Sequence, residues 1–354
     1  MPRILTLIVS AMIVFLFMAQ DVPAAGWERY VEFRDTVKPD TVPMAYVRMG
    51  KISVQKWKAD EKAKLVGDIK KVFARAPGVF RFGASQGPIP FYRITSAHNS
   101  YGGHGALWLS YFGVGVVSHE ITHVADAEHK IVRSEEFRKL VEPRIRKLRA
   151  LMRKNGIPDI SSKEADKRKD LYLSVGLPSA YAAVTIQETL AEYVRAWVTN
   201  KRFIPPADIK RFLEKKLINA TPRADPSVAQ YRKGKAARLN RDYKEALLQL
   251  NSAIEHDNKF AEAYIERGLV FEASKQPDKA IEDFTRSIGL MSEYDWHAYK
   301  PYNYRGRING RRGEYDKALK DFMEAKRLSP KAPGLDSAIS TIKFMSKMKK
   351  RKTQ

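Results

Sequence analysis

The stretch Val116-Val117-Ser118-His119-Glu120-Ile121-Thr122-His123 sets two imidazoles four residues apart, with a carboxylate directly after the first. On a helix that spacing puts both rings on one face, one turn apart, where they can bind a single Zn²⁺. Glu120, one residue round from His119, is then placed to take a proton from a metal-activated water, whose pKa zinc lowers to about 7, and to pass it to a leaving amine. The five-residue pattern leaves two positions free, so chance also produces it as a surface helix with two satisfied histidines. The apolar run ahead of the motif and the ligand candidates after it favour the metal reading.

Zinc needs a third protein donor, and two residues compete. His129 follows His119 by ten residues, the interval used by metzincins, but the glycine that lets their chain turn is Asp126 here. Glu188 lies in Gln187-Glu188-Thr189-Leu190-Ala191-Glu192-Tyr193, a segment of helical character able to lay a carboxylate against the first helix, as in gluzincins. The residues by themselves leave both open.

The segment from Ser118 to Trp197 resembles the catalytic domain of the anthrax lethal factor-like metallopeptidases. That family's HExxHxxD is matched by His119, Glu120, His123 and Asp126, and its tyrosine seven residues ahead of an E-x-x-A-E helix by Tyr181, Glu188, Ala191 and Glu192. The resemblance implies zinc ligation by His119, His123 and Glu188, base chemistry at Glu120, and a Tyr181 phenol donating to the oxyanion. Asp126 is expected either to orient an imidazole or to cap a local turn, and Glu192 to support the ligands from behind. Glu188 follows His123 by 65 residues, which leaves room for an inserted basic helical segment.

Several elements must position these groups. A strand is expected from Met44 to Val54 and a helix from Ala59 to Ala74, where Leu65, Ile69 and Phe73 recur at four-residue spacing. Gly78 to Phe82, Pro90 to Ile94 and Ala106 to Phe112 read as extended runs. Between the last two, His98 and His104 sit in a glycine-rich loop that would border a cleft. Helices are expected through the His119 region, from Ser134 to Lys154 and from Thr185 to Asn200, with a short basic one from Ala207 to Leu217.

Past Thr221-Pro222 and Asp225-Pro226 the sequence repeats itself. Gly234, Gly268 and Gly306 lie 34 and 38 residues apart, Ala246, Ala280 and Ala318 keep those intervals, and Leu250, Phe284 and Phe322 follow each alanine at plus four. Residues 228–333 resemble three tetratricopeptide repeats, in which small residues let helices approach and large apolar ones fill the layer between pairs. Four extra residues fall around Ser292 to Lys300, where the local geometry departs from the repeat.

The expected fold class is therefore α+β. A zincin-like metallopeptidase domain with a small mixed sheet and active-site helices spans 26–217, a linker 218–227, an all-α tetratricopeptide-repeat domain 228–333, and a C-terminal helix and basic tail 334–354. The run Lys347 to Lys352 is expected to be a disordered tail.

Composition narrows the function classes. With 44% hydrophobic residues the chain is globular, and with no cysteine it has neither disulfides, thiolate metal sites nor a cysteine nucleophile. A formal charge of +24, from 64 Lys and Arg against 40 Asp and Glu, suits an anionic surface. No block interleaves dense Arg with aromatics, which argues against a nucleic-acid partner. Arg3, the apolar stretch Ile4 to Ala19 and Val22-Pro23-Ala24-Ala25 form a secretory signal pattern, short for an ordinary bilayer span of about 20 residues, with a retained N-terminal anchor as the competing expectation. The expectation is an exported, periplasmic or secreted zinc metallopeptidase of bacterial type, acting on a protein or peptide substrate, with a protein or peptide partner on its repeats. The competing expectations are an exported repeat scaffold with an inactive peptidase-like domain, and hydrolysis of an amide in cell-wall material. Nothing in the sequence fixes an oligomeric state.

Overall fold

The computed structural model describes residues 26–37, 53–85, 87–95, 100–103, 105–199, 203–222 and 225–353. The signal pattern at 1–25, His98, His104 and most of the strand expected from Met44 lie outside the described residues.

A five-stranded mixed sheet comprises β1 (Val31–Arg34), β2 (Val54–Gln55), β3 (Ile89–Ile94), β4 (Tyr101–Gly103) and β5 (Ala106–Leu109). The order is β1-β3-β5-β4, with β1, β3 and β5 parallel, β4 antiparallel at the end beside β5, and β2 antiparallel to β3. Alternation along the strands divides the side chains between two faces. Ile89, Phe91, Leu107 and Leu109 enter the main core, while Tyr92, Ile94, Ala106 and Trp108 form a smaller cluster on the other side.

Helices α1 (Ala59–Arg75), α2 (Pro77–Gly83), α3 (Val114–His129), α4 (Glu135–Lys154), α5 (Lys163–Lys167), α6 (Lys169–Ser174), α7 (Ile186–Thr199) and α8 (Ala207–Leu213) complete this half. α4 starts where Ser134 Oγ accepts the Phe137 N–H at 3.3 Å, and its stripe Phe137, Val141, Ile145, Leu148 and Met152 is buried. One expected strand is corrected: Gly78 to Phe82 forms α2. Pro77 at the first helical position presets its φ, and burial of Val79, Phe80 and Phe82 holds the turn. A short apolar run carries no period by which to tell strand from helix.

Three helical hairpins follow, α9 (Pro226–Leu239) with α10 (Tyr243–His256), α11 (Ala261–Ala273) with α12 (Pro277–Leu290), and α13 (Tyr299–Arg311) with α14 (Tyr315–Leu328). The periodic glycines explain the pairing. A Cβ on Gly268 would come 2.7 Å from the Phe284 ring, and Gly234 and Gly306 face Leu250 and Phe322 in the same way. Arg267–Asp283 and Arg305–Asp321 repeat one two-bonded ion pair in successive hairpins, at 2.7–3.0 Å. The basic C-terminal run is also corrected, because it continues helix α15 (Leu335–Thr353) rather than a disordered tail. Leu335 and Ile342 pack on Phe322 and Ala325 of α14, and Lys349 reaches back to the Gly313 carbonyl at 3.0 Å. Among the described residues no helix is long and apolar enough to cross a membrane.

The extra residues of the array tie the two halves together. Tyr294 enters the core of the first half, under Arg149 at 5.0 Å, and its carbonyl accepts the Ile186 N–H at 2.8 Å. Ser292 donates to Glu142 at 2.7 Å and Gln187 to Asp295 at 2.8 Å. Replacing Tyr294 by Ala removes a buried aromatic and should cost about 3–5 kcal/mol, the usual loss for a large ring. Urea unfolding followed by circular dichroism should shift to lower denaturant and separate into two steps; a single unshifted transition would show that this anchor is dispensable.

Candidate metal centre

Helix α3 buries Val117, Ile121, Val124 and Ala125 in the main core, which turns His119 and His123 toward α7 and Glu120 toward β4. Helix α7 packs directly on α3 and brings Glu188 in its first turn. The three side chains converge: His119 Nε2 to His123 Nε2 is 3.2 Å, His119 Nε2 to Glu188 Oε2 is 3.0 Å, and His123 Nε2 to Glu188 Oε2 is 3.6 Å. Donors on a tetrahedral zinc with bonds of about 2.0–2.1 Å stand about 3.3 Å from one another. Glu188 Oε2 is buried without a hydrogen-bond partner, the condition of a carboxylate oxygen that a cation satisfies. The donor set of two imidazoles and one carboxylate fits Zn²⁺.

The other imidazole nitrogen is also supported. His119 Nδ1 lies 3.1 Å from Glu192 Oε1, close but not aligned as a hydrogen bond, and Glu192 is held by Ser179 Oγ at 2.7 Å and Arg195 at 3.1 Å. Burial opposes charge on both partners of the His119–Glu188 pair. The close carboxylates of Glu188 and Glu192 nevertheless raise the His119 pKa, and the His119 and His123 rings lower that of Glu188. Both shifts have one cause, since converging donors favour positive charge at their centre, whether proton or metal.

Tyr181 stands on a 3₁₀ turn, Tyr181–Ala183, stitched to α7 on two sides. Thr189 Oγ1 donates to the Ala182 carbonyl at 2.5 Å, and the Ala182 N–H donates to Ser179 Oγ at 3.1 Å. The Tyr181 ring centroid is 6.3 Å from that of His119. Burial, then Glu188, Glu120 and Glu192, push its pKa up, so the phenol keeps its proton. Glu120 Oε2 accepts the Gly102 N–H at 2.6 Å, and burial raises its pKa despite both imidazoles. Gly102 is required there, since a Cβ would stand 1.8 Å from the Glu120 carbonyl oxygen.

Of the two roles expected for Asp126, the structure shows the turn cap: Oδ1 accepts the Val132 N–H at 2.8 Å. His129 is not brought to the cluster. Its ring packs edge-on against Phe82 at 4.7 Å, and among the described residues the donor group comprises His119, His123 and Glu188 alone. Sequence reasoning missed Trp296, whose ring lies 5.2 Å from that of His123, and Gln187, whose amide bonds Asp295. The four extra residues in the repeat were the available signal.

A family model described as tetratricopeptide repeat matches residues 261–292. The chain carries tetratricopeptide repeats. Similar solved structures include the Arabidopsis OM64 TPR domain, at 23% identity, TM-score 0.31, over 33% of this chain and 94% of that one. A Yersinia enterocolitica type III secretion chaperone, SycD, with a peptide of the translocator YopD, is 15% identical, TM-score 0.30, over 36% and 93%. MamA is 19% identical, TM-score 0.28, over 62% and 97%. No curated protein matches the chain.

Two outcomes separate ligand from bystander. Glu188→Ala should abolish stoichiometric zinc after dialysis, and Glu192→Gln should weaken it about 10–100-fold, while His129→Ala leaves it unchanged, as read by elemental analysis against a competing chelator. Zinc lost from His129→Ala and kept by Glu188→Ala would overturn the assignment.

Proposed function

We propose that the chain is an exported zinc-dependent peptidase whose repeats bind a protein or peptide. The observation that carries the catalytic half is the convergence of His119, His123 and Glu188, with Glu120 following His119 and held by Gly102, and with the Tyr181 ring beside that of His119. Bound there, Zn²⁺ would polarise a peptide carbonyl and lower the pKa of a water. Glu120, steadied by the Gly102 N–H, takes the proton of that water and delivers it to the leaving amine. The Tyr181 phenol, kept protonated by its surroundings, donates to the carbonyl oxygen as negative charge develops there. Glu192 orients His119 and disfavours ring rotation. The motif likeness to lethal factor-like metallopeptidases supports the same assignment.

The repeats are an architecture whose concave surfaces bind proteins or peptides. The family match covers the repeats alone, which favours a second reading, an exported interaction scaffold with an inert peptidase-like half. The complete set of ligands and base supports the enzyme instead.

The test uses the purified full-length chain, its Glu120→Gln and Tyr181→Phe variants, and a mixed peptide library with product analysis by mass spectrometry. Glu120→Gln should keep stoichiometric zinc and lose about 10²–10⁴-fold in hydrolysis; Tyr181→Phe should lose about 10²–10³-fold in kcat. Equal turnover by wild type and Glu120→Gln would remove the proposed base. Zinc binding with no turnover by the wild-type chain would leave the scaffold reading standing.

A further inference from the structure

The segment 292–298, between α12 and α13, touches both helices that carry the metal donors. On the α7 side it engages Gln187, the neighbour of Glu188, at both ends of its amide. Gln187 Nε2 donates to Asp295 Oδ2 at 2.8 Å, and Gln187 Oε1 accepts the Trp296 N–H at 3.4 Å. Asp295 is itself fixed, because its Oδ1 accepts the His297 N–H at 2.8 Å. On the α3 side the Trp296 ring lies 5.2 Å from that of His123, tilted by 42°. One short loop of the repeat array thus clips the start of α7 to the turn of α3 that bears His123.

The two imidazoles are held in unlike ways. His119 has Glu192 Oε1 at 3.1 Å from its Nδ1. Among the described residues His123 pairs with no carboxylate besides Glu188, so packing steadies its ring, edge-on against His119 at 4.8 Å and against Trp296. Trp296 is 37% exposed and His123 only 6%, which places the indole between the imidazole and water. An imidazole that must present one nitrogen to a cation binds it more tightly when the ring is fixed beforehand, and an apolar cover controls the access of solvent to the ion.

We propose that Trp296 is a positioning residue for His123, and that the Asp295–Gln187 contact does the same for Glu188, so that a loop of the repeat array sets the affinity of the metal centre. The proposal rests on the metal reading of His119, His123 and Glu188 and is independent of peptide hydrolysis. It gives the residues inserted between the second and third hairpins a role in the other half of the chain.

Affinity is read on the full-length chain by competition with a zinc chelator, and donor geometry by the visible absorption of the cobalt-loaded chain. Trp296→Ala and Asp295→Ala should each weaken zinc about 10–100-fold, the usual loss for a group that orients a ligand, and should shift the cobalt bands. Trp296→Phe should stay within about 3-fold of wild type, because an aromatic ring still covers His123, and it guards against misfolding of the alanine variant. Tyr304→Ala removes an aromatic from within the hairpins, 5.4 Å from Phe284, as a control. It should change zinc affinity less than about 2-fold, since distant sites act independently. In the metal-free chain, Asp295→Ala should speed hydrogen exchange at the start of α7. Unchanged affinity and cobalt bands in either alanine variant would overturn the proposal for that residue and leave the metal centre standing. Losses as large from Tyr304→Ala would overturn it as well, because the repeats as a whole, not this loop, would then govern the metal. A wild-type chain that binds no zinc would remove the metal centre and the proposal together. The expected affinities without any peptide hydrolysis would support the positioning role and count against the peptidase alone.

Discussion

Helix α3 lying against helix α7 is the constraint on which the rest depends. Each helix buries an apolar face, and the angle at which those faces meet decides where Glu188 arrives relative to His119 and His123. The first turn of α7 is the sensitive point, because a helix start leaves N–H groups without internal partners. Here the Ile186 N–H is taken by the Tyr294 carbonyl and the Glu188 N–H by Thr185 Oγ1. One of those acceptors comes from the repeat array. The position of Glu188 is thus fixed by a carbonyl more than a hundred residues downstream of it in the chain.

Burying so many charged groups would be unfavourable if each were left alone, since an unpaired buried charge costs several kcal/mol. The arrangement answers this by sharing. His119 stands between Glu188 and Glu192, Glu192 is also bonded to Ser179 and Arg195, and Glu120 takes a backbone N–H. Glu188 Oε2 has no hydrogen-bond partner, and its position beside two imidazole nitrogens is where a divalent ion would satisfy it. The same crowding keeps Tyr181 protonated and raises Glu120, the directions suited to a hydrogen-bond donor and a base.

Local patterns in the chain carried much of this. The four-residue spacing of His119 and His123 implied a shared helix face, and the stripe from Val141 to Met152 implied a helix whose buried side is that stripe. The glycine and alanine periods implied hairpins because they express close contacts within one repeat. What escaped was of two kinds. Gly78 to Phe82 is apolar throughout, and burial on all sides erases the period that separates strand from helix. Trp296 and Gln187 meet only through tertiary packing, for which spacing along the chain holds no code; the inserted residues flagged the place but not the partner. His129 kept the right interval from His119, yet helix α3 ends at Lys130, in a left-handed conformation, with His129 already turned onto Phe82.

Two zones of unlike chemistry join the halves. Around Tyr294 the contact is apolar and hydrogen-bonded, continuous with the main core. Around the end of α3 it is ionic, with Lys130 bonded to Asp225 at 2.9 Å and Asp257 at 2.5 Å, Arg133 paired with Glu262, and Arg232 with the fully buried Glu128. Salt screens the partly exposed pairs far more than it weakens apolar burial, so the two zones respond differently to their surroundings. Helix α7, with Glu188 in its first turn, starts in the apolar zone. The placement of Glu188 is therefore anchored where the contact between the halves is apolar and continuous with the main core.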